Sequence, residues 1–270
     1  MNRYQTVFSS LKEKKEAAFI PFAVAGDPDL DISEEIFKAY IDGGADILEI
    51  GYPFSDPVAD GPVNQRAAQR AIASGLNHNS FFSLIKKIRS FSEIPIGLLL
   101  YANTVNHLGY ENFCRKASNA GIDSLLVADM PPEEMIELHK SMKHYNIGRV
   151  YIVSELTPSD RIKKICDQID SFVYVVSRLG TTGVKNDLSD SVASTLGRLK
   201  KLTDKPLAVG FGISTPDHIK DVIKAGADGA IVGSALVSEI EQSIGKNKNI
   251  VNNLKNKVAA FKAATIIAGS

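Results

Sequence analysis

The sequence has no excess of either charge, since lysine plus arginine and aspartate plus glutamate each number 31. A chain with no net field has little to draw a polyanion, which argues against nucleic acid or an anionic membrane surface as partner. Cysteine is scarce: Cys114 and Cys166 are far apart and lack CxxC or histidine-flanked spacing. They read as reduced thiols of a cytoplasmic protein, and metal held by cysteine is excluded. No apolar run approaches the ~20 residues that span a bilayer. One stretch imitates a secretory leader, Lys12-Glu13-Lys14-Lys15 followed by apolar Ala17 to Ala25 with an Ala-x-Ala end. It follows an amphipathic helix, with Tyr4, Val7, Phe8 and Leu11 at i, i+3, i+4 and i+7, and cleavage would delete a core strand.

At 270 residues, 44% hydrophobic and 23% charged, the chain is long enough for one large core, and a single domain over residues 1–270 is expected. A unit of short apolar strand, loop rich in Gly, Pro, Asp or Ser, and amphipathic helix recurs eight times. The strands are expected at Phe19 to Ala25, Asp46 to Ile50, Ile96 to Leu100, Ser124 to Ala128, Arg149 to Val153, Phe172 to Val176, Pro206 to Val209 and Gly229 to Val232. Helical patterns between them include Ile32 to Ile41, Phe81 to Phe91, Met135 to Met142 and Ile219 to Lys224. Such a repeat fits an α/β fold, the (β/α)8 TIM barrel, better than an open doubly wound sheet. Gly43-Gly44-Ala45-Asp46, Gly121-Ile122-Asp123 and Gly226-Ala227-Asp228 each cap a helix with glycine and feed the next strand. The extra N-terminal helix has no slot in the ring and is expected to plug the barrel bottom.

In a barrel, function sits where strands end. No lysine stands at those ends, so a Schiff-base mechanism lacks its nucleophile. His78, His107, His139, His144 and His218 fall in helices or helix starts and form no pair suited to catalytic zinc; each reads as a surface residue. Carboxylates remain. In Asp46-Ile47-Leu48-Glu49-Ile50, Glu49 shares a face with Ile47 and Gly51 while Leu48 and Ile50 take the other. A carboxylate in a buried strand either has a cationic partner or is held near neutrality, which makes Glu49 a general acid/base candidate. The proline-stiffened loop that follows can hold Asp60 opposite it. A turn role is the ordinary reading of Asp56-Pro57 or Asp60-Gly61 taken alone.

After the last two strands, Gly210-Phe211-Gly212-Ile213-Ser214 and Gly233-Ser234 place small residues at the corner where barrels bind phosphate. Ser234 also opens a short helix whose N-terminus favours an anion. Gly180-Thr181-Thr182-Gly183 would add a third wall, and Ser177 to Asp187 reads as a lid that bound substrate would order.

The loop Pro53-Phe54-Ser55-Asp56-Pro57 with Ala59-Asp60-Gly61-Pro62 after Leu48-Glu49-Ile50-Gly51 resembles that of the tryptophan synthase alpha chain family. The likeness covers the whole chain, with Phe19-Ile20-Pro21-Phe22, Gly26-Asp27-Pro28, Tyr101-Ala102-Asn103, Ala128-Asp129, Tyr174 through Gly183, Gly210 through Ser214 and Gly233-Ser234 in the family's order. It implies a lyase of tryptophan biosynthesis that cleaves indole-3-glycerol phosphate to indole and glyceraldehyde 3-phosphate, with no cofactor in this chain. It also implies a partner, the pyridoxal-phosphate-dependent beta chain, in an alpha2-beta2 complex. By the same resemblance Glu49 is the acid/base, Asp60 stabilises charge on the indole ring, and Tyr174 orients Glu49. Phe22, Leu99, Leu126 and Ile152 would wall the indole, with Phe211 near the substrate. Gly183, Gly212, Gly233 and Ser234 would hold the phosphate, and Thr182 would reach Asp60. Asn64, Leu179 and Thr181 depart from the family's usual residues. The exposed Tyr52-Pro53-Phe54 with Asp56 is the surface expected to meet the beta chain. Two other readings stay open, another phosphate-sugar barrel such as an isomerase, and a subunit that only regulates a partner.

Overall fold

A computed structural model describes residues 2–176, 187–210, 212–245 and 249–267. The chain starts with α1 (Arg3–Lys14), β1 (Ala18–Val24), α2 (Leu30–Asp42), β2 (Leu48–Gly51), α3 (Pro62–Ala73), α4 (His78–Phe91) and β3 (Ile96–Leu100). It continues with α5 (Ala102–Leu108), α6 (Tyr110–Ala120), β4 (Ser124–Val127), α7 (Ile136–His144), β5 (Gly148–Arg149), β6 (Tyr151–Ser154), α8 (Ser159–Cys166) and β7 (Val173–Val176). Last come α9 (Asp187–Leu199), β8 (Leu207–Val209), α10 (Pro216–Lys224), β9 (Gly229–Val232), α11 (Ser234–Ser243) and α12 (Ile250–Ala263).

All described strand pairs are parallel, in the order β5-β4-β3-β2-β1-β9-β8-β7-β6. The two ends of that order are one strand in two pieces: Gly148 and Arg149 pair with β4, and from Tyr151 on the chain pairs with β7. The Val150 N–H, donating to the Leu125 carbonyl at 3.1 Å, carries the ladder across the join. Eight strands therefore close a barrel, as the repeat predicts, with the fifth changing neighbour midway. A barrel leaves no open edge.

The three glycine links do more than end helices. Asp46, Asp123 and Asp228 each turn a carboxylate oxygen back to accept an N–H from the start of the preceding strand, from Phe19, Ile96 and Leu207, at 2.8, 2.8 and 2.9 Å. Strand, helix and return link are thus tied into one unit, with Gly44, Gly121 and Gly226 at φ of +99°, +92° and +104° making the turn that side-chain-bearing residues resist. In the first link Gly44, not Gly43, takes that conformation.

Alternation along β2 divides the core as expected. Leu48 and Ile50 face the outer helices, whereas Ile47 joins an inner cluster with Ile20, Leu126, Val150 and Phe172. Tyr4 and Leu11 of α1 are buried in that inner cluster, so α1 closes the barrel bottom. The helix is started by Asn2, whose side chain accepts from the Gln5 N–H at 2.9 Å while Gln5 returns the contact. The pseudo-leader Ala17 to Ala25 is buried throughout as β1 and its flanks.

Three of the segments that follow a strand carry an additional helix, α3 after β2, α5 after β3 and α11 after β9. The first and last of these shape the site.

Candidate active site

At the C-terminal mouth of the barrel a cleft of about 570 Å³ opens, with Glu49 and Asp60 both on its wall. That size suits a drug-sized ligand. Glu49 lies in register with Phe22 of β1 and Gly97 of β3, is 6% exposed, and has no hydrogen-bond or ion-pair partner among the described residues. Burial is the main reason its carboxyl is pushed up to about 8, and the charge of Asp60 adds to the rise. Of the two fates open to a strand carboxylate, the protein has taken the neutral one.

Asp60 is held differently. The Tyr101 hydroxyl donates to its Oδ2 at 2.7 Å and itself accepts from the Ala59 N–H at 3.1 Å. Asn64 Nδ2 stands 3.5 Å from the other oxygen, and Gln65 Nε2 donates to the Asp60 carbonyl at 2.9 Å. Burial lifts the Asp60 carboxyl, while the Tyr101 and Asn64 donors pull it back. Of the two carboxyls, the one with donors ionises first, and its charge then holds the other protonated.

Small residues let large ones approach. A Cβ on Gly51 would lie 2.8 Å from the Phe22 ring, and one on Gly210 would lie 2.6 Å from the Tyr174 hydroxyl, so both aromatic rings occupy space that glycine leaves. Tyr174 is pushed well above the ordinary phenol range by burial and then by Glu49 and Asp60, although no hydrogen bond joins it to Glu49. Gly212, at φ +69°, Gly233 and Ser234 form the far wall. α11 starts there with no side-chain cap, leaving its first N–H groups free to face a ligand.

The structure brings Glu49, Asp60, Phe22, Leu99, Ile152, Tyr174, Gly212, Gly233 and Ser234 to one cleft. Leu126 is not on that wall but lines the narrow space beneath it together with Glu49. Its side chain belongs to the inner cluster below, and Ala128, two residues on and on the same face of the chain, takes the wall position. Thr182, Gly183 and Phe211, with the lid positions Leu179 and Thr181, lie outside the described residues. Tyr101, which the sequence offers at a strand end and within the family's motif order but with no role, is set by the structure with its hydroxyl on Asp60. A hydroxyl on a rigid ring at that place is the signal that was available.

Two further expectations need correction. Tyr52 and Pro53 are not exposed: Tyr52 packs on Phe81 at 4.3 Å between ring centroids and bonds the His78 ring, and Phe54 stacks on Tyr101 at 5.2 Å. Ser55, Asp56, Val58 and Ala59 are exposed in that loop, Val58 at 81%. Nor are all five histidines superficial, since His78 and His139 are half-buried against Tyr52 and Tyr151, and burial pushes both below the usual histidine range. Among the described residues no group of three or more His, Cys, Asp or Glu is placed to hold a metal ion, and no helix there is long and apolar enough to cross a membrane.

Residues 8–266 match the sequence model of a family described as tryptophan synthase alpha chain. The chain is 44% identical over 264 residues to the tryptophan synthase alpha chain of Methanoregula boonei, covering 98% of each. It is 41% identical over 247 residues to that of Methanothermobacter thermautotrophicus, covering 92% of each. Among solved structures, tryptophan synthase subunit alpha from Legionella pneumophila superposes with a TM-score of 0.91 at 30% identity, over 98% of both chains.

Proposed function

This chain belongs to the tryptophan synthase alpha chain family, a lyase of tryptophan biosynthesis that cleaves indole-3-glycerol phosphate, and from that premise we propose how its cleft carries out the reaction. The observation that carries the proposal is the contrast between two carboxyls on one cleft wall, a Glu49 without a partner among the described residues and poised at about 8, and an Asp60 held by Tyr101.

The bond to be broken joins the indole ring to the glycerol chain, and it breaks only when the ring carbon becomes a leaving group. Glu49, protonated at neutral pH, delivers its proton to that carbon. The ring nitrogen then carries positive charge, and ionised Asp60, accepting from the ring N–H, stabilises it. The Glu49 carboxylate so formed takes the proton of the neighbouring glycerol hydroxyl as the C–C bond breaks. Indole leaves with the bond's electron pair, glyceraldehyde 3-phosphate leaves as the aldehyde, and Glu49 regains its proton. Two carboxyls with pKa values driven apart are what one acid and one anion require.

Phe22, Leu99 and Ile152 give the ring an apolar slot beside both carboxyls, and Gly212, Gly233 and Ser234 with the start of α11 receive the phosphate. Backbone N–H groups and the helix dipole supply the attraction. The two free, buried cysteines fit a reducing cytoplasm. For the partner we place a pyridoxal-phosphate-dependent beta chain, in an alpha2-beta2 assembly, against the loop that exposes Asp56 and Val58. Indole is small and neutral, so direct transfer prevents its loss.

Asp60→Asn tests the charge assignment. It keeps the shape and removes the anion, so kcat/KM for indole release is expected to fall by about a hundredfold or more, a loss of the order seen when one charge-stabilising group is removed. Gly233→Asp sets a carboxylate where the phosphate sits and should abolish substrate binding at unchanged Tm. A fully active Asp60→Asn, or unchanged binding in Gly233→Asp, contradicts the reading.

A further inference from the structure

An ion network that no catalytic step uses joins three elements around the cleft. Asp27, just past β1, is fully buried at its carboxylate, and Arg70 of α3 grips it in a fork, Nε to Oδ1 at 2.7 Å and a terminal nitrogen to Oδ2 at 3.0 Å. The other terminal nitrogen of Arg70 reaches Glu241 of α11 at 2.7 Å. Arg66, one turn earlier on α3, grips the same Glu241 in a second fork at 2.7 and 2.8 Å.

The helices so joined carry the two ends of the site. α3 begins two residues after Asp60, and its Asn64 and Gln65 hold Asp60 from below. α11 begins at Ser234, beside Gly233. Their mutual contact is made of small side chains, Ala67, Ala68 and Ala71 facing Val237. Such a shallow surface sets how far apart two helices lie and does little to stop one sliding along the other. A planar fork on a buried carboxylate is directional and supplies what the alanines lack.

We propose that Arg70 is a positioning residue: by locking α3 to α11 and to the end of β1, it fixes the span between Asp60 and the phosphate cradle at Gly233 and Ser234. The substrate must reach from one to the other through its three-carbon chain, so this span is what the intact molecule measures and its fragments do not. The proposal rests on the reading of the cleft given above.

The test compares binding of indole-3-glycerol phosphate, indole and glyceraldehyde 3-phosphate, in a Glu49→Gln background so that the first is not cleaved. Arg70→Met is expected to weaken the intact substrate by about a hundredfold, since the gain from linking two contacts is lost when the geometry forbids both at once, and each fragment by no more than about threefold. Arg70→Lys, which keeps the charge but grips one partner at a time, should restore part of the loss. Glu241→Gln leaves the buried Asp27–Arg70 pair in place and should show the same selective loss to a smaller degree, so it answers the question even if Arg70→Met does not fold. In the otherwise unchanged enzyme each variant should raise KM and lower kcat together. If the loss for the intact substrate equals the product of the losses for the fragments, in either Arg70→Met or Glu241→Gln, Arg70 is structural only and the proposal is overturned. Gly233→Asp runs alongside as a separate check: if it leaves glyceraldehyde 3-phosphate binding intact, the reading of the cleft fails, whatever Arg70 does.

Discussion

At the scale of single residues, the chemistry comes from withholding partners. Glu49 has none among the described residues, and the consequence reaches beyond activity. Its carboxyl is raised from 4.5 to about 8, so between those values the folded chain holds a proton that the unfolded chain releases. The stability this gives is complete below the unfolded value and is lost as pH rises toward 8, at up to about 1.4 kcal/mol per unit. Glu49→Gln cannot titrate, so it should be more stable than the parent at pH 8 to 9 and lose that advantage at pH 5. Urea unfolding at several pH values measures it, and parallel curves would refute the neutral Glu49. Asn64 offers a second case. Among the described residues its Oδ1 is buried without a partner, and its Nδ2 makes only the long contact to Asp60. An orphaned buried acceptor costs about 1–3 kcal/mol, so Asn64→Leu should hold or raise Tm. It should lower activity only modestly, since Tyr101 keeps the stronger bond to Asp60; a loss as large as that of Asp60→Asn would show that Asn64 meets the substrate.

At the scale of elements, the loop from β2 to α3 serves two masters. Its inner side fixes Asp60 through Tyr101, and its outer side exposes Asp56 and Val58. Because Phe54 stacks on the same Tyr101 ring, a partner pressing on the loop would be felt at Asp60. Val58→Asp removes an exposed apolar contact without touching the cleft, so it should weaken association with the beta chain at least about tenfold in gel filtration or titration while leaving the isolated chain's indole release unchanged. Intact association would move the interface elsewhere. The strands here were legible because short apolar runs between turn residues admit few other readings, and Ile96–Leu100 and Gly229–Val232 fall where the sequence puts them. Two helix starts were read three residues late. α4 begins at His78 and α10 at Pro216, behind the caps Asn77 and Thr215, whose polar first turns carry no apolar period. α3 was invisible for a related reason, as its buried face is Ala67, Ala68 and Ala71, residues too small to stand out. The exposure of Tyr52 was misread because sequence shows a loop but not that His78 and Phe81 wait to cover it.

Over the whole molecule, closure of the barrel turns local alternation into a site. Glu49 is buried because β1 and β3 flank it and α1 seals the floor beneath, where the Tyr4 hydroxyl meets Ser124 Oγ at 2.6 Å under the Glu49 layer. The pair Glu49 and Asp60 was readable from the strand and loop that carry them. The depths of Leu126 and Ala128 were not legible, since both lie on the inner face and only the stagger of the strands sets how far each stands from the mouth. The account stands on Glu49 acting as an acid that ionises near 8. The most direct test is indole release from indole-3-glycerol phosphate as a function of pH, for the parent chain and for Glu49→Gln confirmed folded by circular dichroism. The parent's kcat/KM should rise as Asp60 ionises and fall as pH passes through about 8, and Glu49→Gln should show no release above background at any pH. A folded Glu49→Gln chain that releases indole at a substantial rate, or a parent profile without the alkaline fall, would contradict it.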